Sequence, residues 1–223
     1  RCIQPDGEFT LRLDNNPNIT KFPPRDDHVA ELSLSGCQID DCAMEELLVN
    51  LPNCLSNLNV LDLSKNSITR TGAEAFALLL YDPKTGGSAL PSLRELNLAG
   101  NKLGEEGVSL IVSSIKSRNM ILDSLDLSDT ACGSDGAAAA VRDSSTRSLR
   151  LCQNGLGSQG FLALAQSMEH ANANLQSLDL ACNEASGAAV VGLLKSLRDF
   201  SGALQTLIVG GNENNADVEE VVS

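Results

Sequence analysis

The amino-acid sequence predicts an α/β solenoid, with a parallel sheet along one side and helices along the other. Three observations carry this. Residues 93–107 read L-x-x-L-x-L-x-x-N-x-L with a glycine six residues past the asparagine, and the same frame returns at 58–72, 122–136 and 175–189. The second leucine of each frame recurs as Leu32, Leu61, Leu96, Leu125, Leu149, Leu178 and Leu207, in steps of 29, 35, 29, 24, 29 and 29 residues. Within each unit the apolar spacing changes from two residues to four, so a strand gives way to a helix.

The chain opens on an atypical first repeat over 1–28, where Leu11-Arg12-Leu13-Asp14 reads as a strand and turn and Phe22-Pro23-Pro24-Arg25 bars a regular helix. About seven repeats follow over 29–215. Alternation such as Leu61-Asp62-Leu63-Ser64 marks each strand, and a helical stripe follows each asparagine: Gly72, Phe76 and Leu80; Gly107, Ile111 and Ile115; Gly160, Leu164 and Met168; Ala189, Leu193 and Leu197. The small residue that begins each stripe is expected to let the helix approach the strand layer closely. The Pro- and Gly-rich stretch 81–88 reads as a longer surface loop, and the short fourth unit predicts a brief or frayed helix at 134–142. Residues 216–223 read as the start of a last helix, cut short, so that the whole of 1–223 forms a single domain.

One strand–helix unit cannot bury its own apolar face, so units must stack. Helices are about 10 Å wide and paired strands about 4.8 Å apart, so the helix layer fans outward and the sheet becomes the concave face. Where each strand turns away from the sheet, backbone groups lose ladder partners, and a buried amide both donates and accepts. Asn66, Asn101, Asn154, Asn183 and Asn212 hold that position, while Cys37 and Thr130 put smaller, poorer hydrogen-bonding groups there.

A net charge of −13 argues against nucleic-acid phosphates and anionic lipid as partners and favours a protein with a basic surface. No apolar run has the length of a membrane span. The seven cysteines are odd in number, contain no C-x-x-C and mostly fall at frame positions, so buried or half-buried free thiols in a reducing, intracellular compartment are expected.

The frame, its glycine and its 29-residue period resemble the ribonuclease-inhibitor type of leucine-rich repeat over about residues 29–215. The resemblance implies a curved horseshoe and a protein-binding role in the cytoplasm, since known members are mostly intracellular and bind other proteins. Asn154-Gly155-Leu156-Gly157 is similar to a segment of Ran GTPase-activating proteins, although Arg70 follows an ordinary repeat turn rather than a catalytic loop. Residues 125–132 resemble actin-regulatory linkers of the CARMIL type. These remain the alternatives.

Groups for catalysis are sparse. His28 and His170 read as solvated surface residues, Cys152 beside Arg150 as a frame cysteine, and Glu105 and Glu106 as acids in a first helical turn. No metal-ligand spacing appears, and no cofactor is expected. The outward strand positions are more informative. The first column holds Glu31, Val60, Glu95, Ser124, Ser148, Ser177 and Thr206, and the third Ser35, Ser64, Ala99, Ser128, Cys152, Ala181 and Gly210. The middle column, Ser33, Asp62, Asn97, Asp126, Arg150, Asp179 and Ile208, carries three carboxylates and one cation. The expected function is a non-enzymatic protein-interaction or scaffold module, with Ser33, Asp62, Asn97, Asp126, Arg150, Asp179, Glu31 and Glu95 meeting the partner.

Overall fold

The alternating segments form strands and the four-spaced stripes form helices, in a computed structural model that describes residues 2–3, 9–17, 29–50, 57–80, 90–198 and 203–212. Strands β1 (Cys2–Ile3), β2 (Phe9–Arg12), β3 (Val29–Ser33), β4 (Val60–Asp62), β5 (Glu95–Asn97), β6 (Leu122–Asp126), β7 (Thr146–Arg150), β8 (Ser177–Asp179) and β9 (Thr206–Ile208) lie in one sheet in sequence order. From β2 onward every pair is parallel; β1 runs antiparallel to β2. Helices α1 (Asp41–Asn50), α2 (Arg70–Leu79), α3 (Gly104–Ser117), α4 (Gly133–Asp143), α5 (Gly157–Ser167) and α6 (Gly187–Leu197) alternate with β3 through β9. Between them they make a leucine-rich-repeat solenoid, with the open sheet on the concave face and helices on the convex face. The loop expected at 81–88, the Pro-rich part of the first repeat and the last helix at 216–223 lie outside the described residues.

The core runs the length of the stack. Leu61, Leu125, Leu149 and Leu178 point inward from the strands, and Phe76, Ile111, Leu164 and Leu193 meet them from the helices, all buried. Leu207, on the last described strand, is only partly buried. Burying a leucine side chain contributes about 2 kcal/mol, so the register of these rows fixes the stack.

Two expectations need correction. The fourth helix is not brief: α4 spans 11 residues, as do α5 and α6. Alanine is the strongest helix former, and Ala137, Ala138, Ala139 and Ala140 are all buried. The deletion falls in the return instead, where only Ser144 and Ser145 separate α4 from β7 and Ser145 takes φ +48°.

The small residues that open the helical stripes also act differently from expectation. Gly72, Gly107 and Gly136 admit the preceding helix rather than the strand layer. A Cβ on Gly136 would lie 3.2 Å from the Cα of Glu105 on α3, and one on Gly107 would lie 3.3 Å from the Cα of Arg70 on α2. At Gly72 the obstacle would be a carboxylate, Asp41 Oδ1 of α1, at 2.5 Å.

The asparagine amides tie each strand to the one before it. Asn101 Nδ2 donates to the carbonyls of Leu63 and Leu98, both at 2.9 Å, while its Oδ1 accepts from Ile68 N at 3.1 Å. Asn66 donates to Leu34 and Leu63 and accepts from Ile39 N. Asn183 donates to Leu151 and Leu180 and accepts from Asn154 N, and Asn212 continues the pattern with Leu180 and Val209. Asn154 donates to Leu127 of the preceding unit. Cys37 Sγ reaches back to Leu13 O at 3.1 Å. Thr130 Oγ1 has a single proton, and its bonds are to its own strand's Leu127 O at 2.7 Å and to Asn154 Oδ1. Among the described residues it alone of the seven sends no side-chain bond to the preceding unit.

Replacing Asn101 by Ala strands Leu98 O and Ile68 N, while Leu63 O keeps its bond from Asn66, and should cost about 1–3 kcal/mol. Differential scanning calorimetry should then show a melting temperature lower by several degrees, and an unchanged value would exclude the role.

Candidate functional site

The strands bring the outward residues into register. Arg12, Ser33, Asp62, Asn97, Asp126, Arg150, Asp179 and Ile208 face one another in successive strand pairs and form one continuous row. A second row joins Glu31, Val60, Glu95, Ser124, Ser148, Ser177 and Thr206. Arg12 is an addition to the sequence reading. The L-x-L pattern of Leu11-Arg12-Leu13 was the available signal, and its exposed guanidinium gives the middle row two cations.

The aspartates in that row also shape the backbone. Asp62 Oδ1 accepts from Ser64 N at 2.9 Å, Asp126 Oδ1 from Ser128 N at 3.0 Å and Asp179 Oδ1 from Ala181 N at 3.0 Å. Asn97 makes the same bond to Ala99 N at 3.0 Å. A carboxylate or amide two residues before a turning N–H closes an Asx turn, which ends the strand. One carboxylate oxygen is therefore structural, and the charge remains for other uses.

The charges are distributed unevenly. Arg150 Nη1 lies 3.5 Å from Asp126 Oδ2; Asp126 retains only 15% of its side-chain exposure while Arg150 retains 56%. This pair partly neutralises the middle of the row. Glu31 accepts from Thr10 Oγ1 at 2.7 Å, and Ser33 Oγ donates to Asp14 Oδ1 at 2.5 Å. Asp62 and Asp179 have no ion-pair partner among the described residues, and Glu95 is exposed. Ser64 departs from expectation, because it is buried and its hydroxyl meets that of Ser35 at 2.9 Å.

A sequence profile of the Leucine Rich repeat family matches residues 54–77, 89–112 and 171–184. Ribonuclease inhibitor from Sus scrofa is 27% identical over 222 residues, covering 85% of this chain and 47% of that protein. The chain belongs to the leucine-rich-repeat proteins of the ribonuclease-inhibitor-like class. NACHT, LRR and PYD domains-containing protein 12 from Homo sapiens is 30% identical over 155 residues, 68% of this chain and 14% of that protein. NACHT, LRR and PYD domains-containing protein 5 from Homo sapiens is 38% identical over 95 residues, 40% of this chain and 8% of that protein. The chain thus spans about half the length of ribonuclease inhibitor and a smaller share of the other two.

The remaining candidate groups of this leucine-rich-repeat array are tied into its framework. Arg70, at the start of α2, pairs with Glu106 of α3 at 2.7 Å, and Asn154 is buried with both ends of its amide engaged. Asp41 of α1 caps the following helix: Oδ1 accepts from Thr69 N and Gly72 N at 2.8 and 2.9 Å, and Oδ2 from Thr69 Oγ1. Burial pushes this carboxyl up, but those three hydrogen bonds outweigh it and hold it below the ordinary aspartate value. His170 ends a short 3-10 turn after α5, and His28 lies outside the described residues. Among the described residues no three His, Cys, Asp or Glu side chains are grouped to hold a metal, and no helix is long and apolar enough to cross a membrane.

The thiols differ in setting. Cys37 and Cys132 are buried and Cys152 is half-buried, whereas Cys42 and Cys182 are exposed, contrary to expectation. Burial pushes Cys132 up to about 12, helped by the nearby Glu105 carboxylate. Burial, followed by Asp179 and Cys182, also raises Cys152, so Arg150 does not activate it.

Two predictions follow from these settings. Alkylation at pH 8 with peptide mapping should modify Cys42 and Cys182 in the folded protein, and Cys37 and Cys132 only after unfolding. The depressed Asp41 carboxyl contributes stability that is complete above the ordinary aspartate range and is lost as pH falls through its lower folded-state value. Asp41→Asn should therefore lower stability by about 1 kcal/mol at neutral pH and flatten the acid limb of a Tm-versus-pH curve.

Proposed function

We propose that this chain is a non-enzymatic protein-interaction module whose concave sheet binds a protein partner carrying a basic surface, in an intracellular setting. The observation that carries the reading is the register of the middle row. It holds Asp62, Asp126 and Asp179 on alternate strands of a rigid sheet, with Glu31 and Glu95 in the row alongside. Strands about 4.8 Å apart place these carboxylates about 9.6 Å from one another. Because each is already held by its Asx turn, binding orders few side chains, which lowers the entropic cost of association. The porcine relative is named as an inhibitor of ribonuclease, itself a protein, and this supports a partner of the same kind. The GTPase-activating alternative gains less support, since Arg70 and Asn154 are both engaged internally.

Asn97 supplies the control for a clean test, because it closes the same turn without a charge. Affinity capture with mass identification should find a partner of the native chain. The triple variant Asp62→Asn, Asp126→Asn, Asp179→Asn should keep the native Tm and bind that partner about tenfold or more weaker, as should raising the salt. Glu74→Lys, on the helix side, should change nothing. Equal affinity for the triple variant and the native chain would move the site away from the wall.

A further inference from the structure

Where β7 and β8 leave the sheet, successive units bring two thiols together. Arg150 pairs with Asp179, and the ladder runs on past both strands: Leu151 N donates to Asp179 O at 2.8 Å and Gln153 N to Ala181 O at 3.1 Å. Cys152 therefore lies across from Ala181, and Cys182 is the next residue along. Paired strands are about 4.8 Å apart and successive Cα atoms about 3.8 Å, so such a diagonal pair lies about 6 Å apart, inside the span of a disulfide. The Cys182 thiol is within hydrogen-bonding reach of the Cys152 thiol, and both are free.

Joining them needs a side-chain rotation and no change of register. Cys182 takes φ +56° at its turn, and its Sγ lies over Gly211, 2.6 Å from where a Cβ on that glycine would stand. With no side chain at Gly211, the sulfur has room to turn about the Cα–Cβ bond toward Cys152. Cys182 is exposed and Cys152 half-buried, so a reagent in solution meets Cys182 first.

We propose that Cys152 and Cys182 are a modification site, closing to a reversible disulfide by exchange with a small-molecule disulfide such as oxidised glutathione and so clamping the β7 unit to the β8 unit. The Cys182 thiolate attacks the glutathione disulfide, which forms a mixed disulfide and releases one glutathione thiolate. The Cys152 thiolate then attacks Cys182 Sγ, forms the protein S–S bond and expels the second glutathione. The two protons lost by the cysteines are taken up by the two glutathione thiolates, and two electrons pass from protein to reagent. Burial, followed by the Asp179 carboxylate, holds the Cys152 thiol above its ordinary value, so the closing step is slow at neutral pH and quickens as pH rises.

Stacked repeats touch only their neighbours, so a bond across one seam holds that seam shut. The link closes a loop of about 30 residues and thereby restricts the unfolded chain. An exposed disulfide is also readily reduced, which makes the clamp reversible. It places no new charge on the concave wall, and it does not depend on the function proposed for that wall.

The test is to incubate the full chain with oxidised glutathione at pH 8 without denaturant, quench with acid and map the peptides by mass spectrometry. Cys152 and Cys182 should be found joined, and dithiothreitol should part them. The oxidised protein should melt several degrees higher than the reduced one. The closing step should run about tenfold faster at pH 8 than at pH 7, following the thiolate fraction of Cys152. Cys152→Ser should stop with glutathione on Cys182 and gain no stability, and Cys182→Ser should form no disulfide at Cys152. A native chain that also stops with glutathione on Cys182, a link that forms only in denaturant, or an oxidised protein that melts lower would overturn the proposal.

Discussion

The array depends on the side-chain amide that bridges consecutive units. Stacked strands bury their leucines readily, but where each strand leaves the sheet its carbonyls lose their neighbours, and an unmet buried carbonyl is costly. Asn101 meets two of them and one N–H at once, from two different units. Neither Cys37 nor Thr130 can do so, because a thiol is a weak donor and a hydroxyl has one proton. Strand register follows from this bridge together with the leucine rows, and the outward residues fall into line as a result.

The framework was legible in the sequence because its signals are periodic. Leucine spacing located the strands, four-residue spacing located the helices, and the asparagine position located the turns. What escaped was relational. The stripe-opening glycines looked like contacts with the sheet, whereas Gly107 and Gly136 actually admit the helix of the preceding unit, a distance no single repeat reveals. The poor apolar content after Thr130 suggested a frayed helix, but alanine builds α4 through propensity and close packing, and the missing residues came out of the return at Ser144–Ser145. Asp41 capping the helix of the next unit was hidden for the same reason.

The wall shows how a framework requirement and a surface property share one residue. Asp62, Asp126 and Asp179 close turns with one oxygen, a task that Asn97 performs equally well. The turn explains why an Asx residue stands there and does not explain the charge. Choosing aspartate over asparagine at three positions, next to Glu31 and Glu95, makes the face electronegative without further structural gain. Arg150 then breaks the row by shielding Asp126, leaving the outer aspartates as the open charges.

The fourth unit joins a threonine at the turn to an alanine helix wedged tightly against α3. Its two sides therefore differ in strength: the seam between the third and fourth units lacks the amide rivet at the turn but keeps close backbone contact at the helices. In a chain of units that hold only their neighbours, a local weakness of this kind sets where the whole comes apart. Under a tensile load the stack would open first along the threonine edge, swinging about α4 as a hinge, and part into two blocks of repeats that each keep their own rivets.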